Sequence, residues 1–340
     1  MQEISTIGLD LAKSVFQVHG ADSSGAPVLR RKLRRDALLS FFAQLPPCLV
    51  AMEACAGAHY WARAIAGFGH TTKLIPAEYV KAFVKRQKND AADAEAICEA
   101  ALRPTMRFVA PKSAEQQASA IVFRARDLLV RQRTQIINAL RGHLAEFGIV
   151  VAKGPAHVAK LVAMIEEEKA PPDALPALQC LVSTLKALEE KVAALDREIA
   201  ARAKADDVAA RLMSIPGIGP VISTAIAALA PPADTFSKGR DFAAWLGLTP
   251  RQHSSGGKER LGRTTKMGER SLRRLLIIGA SAVVRWAVRN PPAAGSWLAR
   301  MLARKPRQLV TVALAGKMAR IAWALMAKGG IYRASGVVAA

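Results

Sequence analysis

Apolar and polar positions along this chain follow two different rhythms. Over the first hundred residues, short apolar runs are bounded by turn residues. Ser5 to Asp10, Ser14 to His19 and Pro27 to Leu33 predict three strands, with a Ser-Ser-Gly-Ala turn between the second and third. Arg35 to Gln44 has helical spacing, Cys48 to Glu53 is an apolar strand, Ala58 to Gly67 is a helix, and Thr71 to Ile75 is a strand ended by Pro76. Helical stretches from Glu78 to Arg86 and from Ala91 to Leu102 follow, before Pro104. A meander of strands and then alternating helices and strands predicts a mixed α/β layer.

From Ser113 onward the period is helical and no strand is expected. Glu115 to Phe147 reads as one long basic helix stopped by Gly148. Beyond Pro171 and Pro172, the positions Leu178, Leu181, Leu185, Leu188, Val192, Leu195 and Ile199 recur at alternating steps of three and four, a heptad seam. The seam predicts a coiled coil, between two chains or folded back on the long helix, or else an amphipathic helix on a bundle core. Ala209 to the end is again helical, divided by Gly and Pro at 216–220, 231–232, 247–250 and 291–292. Three regions result: an α/β domain at 1–112, a long-helix and coiled-coil region at 113–205 suited to dimerisation, and an all-α C-terminal domain at 206–340.

Charge adds a partner to this picture. The 340 residues are 51% apolar, which is globular composition, yet the formal net charge is +22. Thr235 to Ala340 alone holds 20 Lys or Arg against 3 Asp or Glu. Such a field draws polyanions, so nucleic acid is the expected partner and the C-terminal domain its main contact. Met1 to Asp10 has no basic leader with an apolar stretch behind it, and apolar runs such as Leu275 to Val284 are short and flanked by arginines. The expected location is the cytoplasm, with no membrane partner. Cys48, Cys55, Cys98 and Cys180 lack metal-ligand spacing and sit in apolar elements, so buried free thiols are expected rather than a zinc site or disulfides.

Four acidic residues carry candidate chemistry. Asp10 and Glu53 each end an apolar strand, while Asp90 and Asp93 are three apart at a helix start and share one face. Carboxylates brought together repel unless a cation neutralises them, and Mg2+ is the usual occupant of an all-oxygen site. Two such ions clamp the attacking and leaving oxygens of a phosphoryl transfer. The plainer alternative has Asp90 as the helix cap, Asp93 as a first-turn acid, and Asp10 and Glu53 as loop carboxylates.

In the basic domain, the loop from Gly247 to Arg263 is polar, rich in glycine and studded with cations. Arg251, Lys258, Arg260, Arg263 and Lys266, with Arg273 and Arg274 on the helix beyond, are candidate phosphate contacts. Ser254 or Ser255 in this setting is a candidate nucleophile, against the alternative of an ordinary flexible surface loop. Upstream, Gly217 and Gly219 in Pro216-Gly217-Ile218-Gly219-Pro220 fit either a helix-hairpin-helix turn, whose amides hold phosphate, or a plain helix-to-helix turn.

Taken together, GLDLAKSVF with Asp10, AMEACAG with Glu53, KNDAADAEAI with Asp90 and Asp93, PGIGPVIS, and GLTPRQHSSGGKERLGRTTKMGERSLRRLLIIGA resemble the DEDD transposases of bacterial insertion sequences. This is the IS110 group with its IS1111 branch, and the resemblance spans nearly the whole chain. It implies an N-terminal RNase H-like domain similar to RuvC junction nucleases, with Mg2+ at Asp10, Glu53, Asp90 and Asp93. It also implies a C-terminal serine that links covalently to DNA. The serine that precedes glycine is Ser255, with Ser254 beside it as the alternative. Further implications are double-stranded donor and target DNA, a structured guide RNA encoded by the element, and homodimers that pair into tetramers near the nucleoid. In such assemblies an acidic domain works with the serine domain of another chain. The competing expectations are a two-metal junction endonuclease with water as nucleophile, and a non-catalytic DNA-organising protein.

Overall fold

In the computed structural model, which describes residues 3–85 and 89–333, the first three strands form an antiparallel meander. They are β1 Thr6–Asp10, β2 Val15–Ala21 and β3 Pro27–Arg34. The turn between β2 and β3 is set by Asp22, whose Oδ1 accepts N–H bonds from Ser24 at 2.9 Å and Ala26 at 3.0 Å. Gly25 there takes a φ of 87°, which a side chain would disfavour. Helix α1, Leu38–Ala43, carries the chain over to β4, Leu49–Glu53, and α2, Ala58–Ala66, carries it to β5, Thr71–Ile75. Both crossovers return parallel strands, so the sheet order is β3-β2-β1-β4-β5. After β5 come α3, Ala77–Val80, and α4, Asp90–Ala101. The expected helical end at Arg86 lies outside the described residues.

Alternation decides which helix covers which face, because successive side chains on a strand point to opposite sides. Ile7, Leu9, Phe16, Val18, Val50 and Met52 bury one face against α1 and α2. Ala51 and Ile75 on the other face meet Ile97, Ala100 and Ala101 of α4. The N-terminal α/β layer expected from the sequence is therefore present, with helices on both faces of its mixed sheet.

The chain divides into two compact units, Met1–Gln117 and Ala118–Ala340. The second contains most of α5, Ala114–Ala145, then α6, Val158–Glu166, α7, Leu175–Ala205, α8, Asp207–Leu212, α9, Pro220–Leu229, and α10, Gly239–Trp245. A hairpin of β6, Pro250–Gln252, and β7, Leu261–Thr264, precedes α11, Arg270–Arg289, α12, Trp297–Arg304, and α13, Arg307–Lys328. The hairpin corrects the expectation of no strand after Ser113. Its strands are three and four residues long and almost wholly exposed, so they leave no apolar alternation to read.

The heptad seam folds back on its own chain. Leu178, Val182 and Leu185 of α7 bury against Leu140 and Leu144 of α5 and Leu161 and Ile165 of α6. The antiparallel course shows in the ion pair of Arg126 with Asp196 and the bond from Arg202 to Ser119. Val182 is buried where the heptad count had placed Leu181, which is only partly covered. Cys48 and Cys98 are buried, but Cys55 and Cys180 are exposed. Cys55 follows the end of β4, and Cys180 lies on the outer side of α7, two residues past the buried Leu178. Among the described residues, α13 alone is long and apolar enough to cross a membrane by length and composition. Its Val310, Ala315, Met318 and Ala322 are buried, and the last three pack within the helical core beside Phe242 and Leu276.

Candidate metal centre and serine hairpin

The register of the central strands brings two carboxylates together. Leu9 lies opposite Met52 in the parallel pair of β1 and β4, which sets Asp10 beside Glu53 at the C-terminal ends of both strands. Alternation puts Gly8 and Asp10 of β1, with Ala51 and Glu53 of β4, on the face covered by α4. Helix α4 runs along that face with a stripe of Ala94, Ile97, Cys98 and Ala101, all buried. Asp90 and Asp93 extend this stripe by one turn beyond the strand end.

Close approach makes the geometry possible. A Cβ on Gly8 would lie 2.6 Å from the Cys98 backbone nitrogen and would collide with the Ala94 carbonyl. One ligand oxygen each from Asp10, Asp90 and Asp93 lies within 4.8 Å of the other two. Glu53 is outside that trio, but its charge reaches Asp10. Burial first, then the charges of Asp93, Asp90 and Glu53, push the Asp10 carboxyl up to about 6. Among the described residues no Lys or Arg pairs with any of the four acids. The capping alternative fails for Asp90, because Asn89 caps α4, its side chain accepting the Ala92 N–H at 2.8 Å. An all-oxygen, mutually repelling set with no protein cation on it fits a hard divalent ion.

The candidate serines sit on the hairpin of the second unit. Lys258 N–H donates to the Ser255 carbonyl at 3.1 Å around Gly256 and Gly257, whose φ values of 57° and 75° make a two-residue turn of the I′ kind. Ser255 is therefore the last residue before the hairpin tip, in a defined turn rather than a shapeless loop. The two serines differ: Ser254 Oγ accepts the Arg260 N–H at 3.2 Å, while the Ser255 hydroxyl has no hydrogen bond among the described residues. Gly262 leaves space for His253, whose ring would lie 2.8 Å from a Cβ there.

The cations separate into two groups. Arg251, Lys258, Arg260 and Arg263 are exposed along the hairpin, and Arg251 also donates to the Thr265 carbonyl. Lys266 is also exposed, at a φ of 56°. Arg273 instead donates to the carbonyls of Leu246 at 3.0 Å and Met267 at 2.8 Å, tying the base of the hairpin to the end of α10. Arg274 is ion-paired with Asp127 of α5. The glycine turn is divided in the same way: Gly217 packs against the Gly279 backbone of α11, while Gly219 faces open space before α9. Residue type could not separate these tethered groups from the free ones, since each tethered arginine or glycine has a free counterpart of like kind close by in the sequence.

Comparison with known proteins places both blocks. A DEDD transposase model of the IS110 group, described as "Transposase", matches residues 7–149, and a model described as "Transposase IS116/IS110/IS902 family" matches residues 209–294. A Pseudomonas aeruginosa protein named "Probable family 20 transposase" is 51% identical over 97% of this chain and 99% of its own length. The transposase for insertion sequence element IS1328 of Yersinia enterocolitica is 40% identical over 98% of this chain and 99% of its own. The transposase for IS1111A of Coxiella burnetii is 39% identical over 98% and 92%. The chain is an insertion-sequence transposase and belongs to the IS110 family.

Proposed function

We propose that this transposase cuts and rejoins DNA at the ends of its element, with Mg2+ held by Asp10, Glu53, Asp90 and Asp93 and with Ser255 as the attacking group. The observation that carries the reading is the convergence of the Asp10, Asp90 and Asp93 oxygens within 4.8 Å, with no described cationic side chain among them. An antiparallel meander leading into two parallel strands, order β3-β2-β1-β4-β5, supports an RNase H-like, RuvC-like assignment for the region 1–112. Bound there, Mg2+ supplies Lewis-acid stabilisation of charge on the phosphoryl oxygens.

The residues of the chain do the rest. Asp10 must be ionised to act as a ligand, and its elevated pKa makes that step pH-dependent near 6. Ser255 Oγ bonds to phosphorus as the bond to a bridging sugar oxygen breaks. The serine proton is lost and the sugar oxygen gains one, leaving a phosphoserine diester and a free sugar hydroxyl. Attack by a new strand hydroxyl reverses the step, rejoins DNA and restores the serine. Lys258, Arg260 and Arg263 flank the turn and offset the charge that develops on phosphate.

The net charge of +22 supports a large polyanionic assembly. On the family resemblance, that assembly includes donor and target DNA and a structured RNA from the element. The protein itself is a dimer pairing into a tetramer in the bacterial cytoplasm, near the nucleoid. With the heptad seam packed within the chain, the region 113–205 makes its dimer contact through its other surfaces, and 206–340 is the serine domain.

The test incubates full-length protein with the element's structured RNA, donor and target duplexes and Mg2+, then resolves products on a denaturing gel. Wild type and Ser254→Ala give a protein-linked strand, and Ser255→Ala gives none while still binding duplex. A linked strand from Ser255→Ala overturns the serine assignment. Cutting by Asp10→Asn or Glu53→Gln overturns the metal assignment. Free 5′-phosphate ends without linked protein favour water as the nucleophile.

A further inference from the structure

The face of the sheet that carries Asp10 continues past it into a basic groove. Asp10 pairs in register with Gln17 of β2, and Gln17 pairs with Lys32 of β3. Paired residues on neighbouring strands share a face. Glu53, Asp10, Gln17 and Lys32 therefore form one row across four strands, acidic at one end and basic at the other. The row beneath runs through Ala51, Gly8, His19 and Arg30. Helix α4 lies chiefly over β1 and reaches β2 and β4 on either side, burying His19. Over β2 and β3 the rows open into a cavity of about 370 Å³, lined by Gln17, His19, Arg30, Lys32, Asn89 and Glu95 among others.

Charge and partners say what this groove accepts. Lys32 is exposed and has no ion pair among the described residues, and the Gln17 amide has no hydrogen-bond partner among them. Glu95 is held by Lys85 at 2.6 Å, with Arg30 further off at 3.6 Å, so Arg30 keeps donors free. His19 is buried and burial lowers its pKa, so it adds no cation at neutral pH. Neighbouring strands are about 4.8 Å apart, which puts Lys32 about 10 Å from Asp10 along the row. Exposed donors in a line that ends at a metal-ligand cluster match the spaced anions of a phosphodiester strand rather than one small anion.

We propose that Gln17, Arg30 and Lys32 form a phosphate track that seats the nucleic-acid strand flanking the phosphate at the Asp10 centre. Lys32 and Arg30 hold backbone phosphates as positioning residues, and the Gln17 amide donates to the phosphate nearest Asp10. The track rests on the metal-centre reading above, because the strand it holds is the one delivered to Asp10.

The experiment measures binding of full-length protein to a random-sequence DNA duplex and to an RNA hairpin of equal length, across a salt series. Removing one cation that neutralises a phosphate makes the plot of log affinity against log salt shallower by about 0.9 for duplex DNA. Arg30→Ala/Lys32→Ala is expected to flatten the slope by about two for the strand that occupies the track. Arg30→Lys/Lys32→Arg, which keeps both charges, restores it. A flattened slope for DNA supports the track, whereas one confined to RNA would mean that this face holds the guide and not the strand delivered to Asp10, and overturns it. Unchanged slopes for both probes overturn the track. Thermal melting with and without Mn2+ runs in parallel: an intact Mn2+ shift in the double alanine variant shows that the metal centre is undisturbed. Loss of cutting in Asp10→Asn beside unchanged slopes in the track variant sinks the track alone. Retained cutting in Asp10→Asn sinks the metal-centre reading instead.

Discussion

Gly8 of β1 lies against Cys98 of α4 so closely that a methyl group on the glycine would sit 2.6 Å from the cysteine nitrogen. Strand and helix therefore meet backbone to backbone, and that approach sets how far Asp90 and Asp93 stand from Asp10. Gly8→Ala should force α4 outward, at an overpacking cost of about 1–3 kcal/mol. Thermal melting should show a lower midpoint and a reduced shift on adding Mn2+. An unchanged Mn2+ shift would mean that the cluster does not depend on this approach.

Asp10 gives the metal-free protein a pH signature. Its folded pKa of about 6 stands above the ordinary value of 3.8, so between those values the folded chain binds more protons than the unfolded one. Stability from this group is then largest in acid and falls as pH rises from about 4 to about 6. A divalent cation reverses the fall by neutralising the ionised cluster, so the Mn2+ shift in melting temperature should be small at pH 5 and large at pH 7.5. Asp10→Asn should flatten both trends.

Arg273 and Lys258 should separate structure from binding. Arg273 donates to two carbonyls beneath the hairpin, and hydrogen bonds from a charged group contribute about 1.5–3 kcal/mol. Arg273→Ala should lower the melting temperature, whereas Lys258→Ala should leave it unchanged and flatten the salt dependence of DNA binding by about 0.9. The opposite pattern would exchange the two roles.

The I′ turn makes a local prediction. Gly256 and Gly257 both adopt positive φ, which costs a residue with a side chain about 1 kcal/mol or more. Gly257→Val should disturb the tip and cut the yield of linked DNA several-fold, with melting temperature within a degree or two of wild type. Equal yield would show that the tip geometry does not govern attack.

The N-terminal unit was largely legible because its strands bury both faces or alternate, and because Pro76 and the Asp22 to Gly25 turn punctuate them. Asp10, Glu53, Asp90 and Asp93 were legible as strand-end and helix-start acids; the part played by Gly8 was not, since a glycine in a strand does not declare which backbone it touches. Asn89 rather than Asp90 as the cap was equally hidden, since either residue suits that position. In the second unit, polar strands left only Gly256-Gly257 as a hairpin signal. The partners of Arg273, Arg274 and Gly217 were not legible, because composition cannot show a carbonyl, an aspartate or a second glycine arriving from elsewhere in the chain.

The most direct test of the account maps the protein–DNA link itself. Wild-type protein reacted with the element's structured RNA, donor and target duplexes and Mg2+, digested with protease and nuclease and analysed by mass spectrometry, should yield a nucleotide attached to Ser255. Attachment at Ser254, or cut strands with no linked peptide, would contradict it.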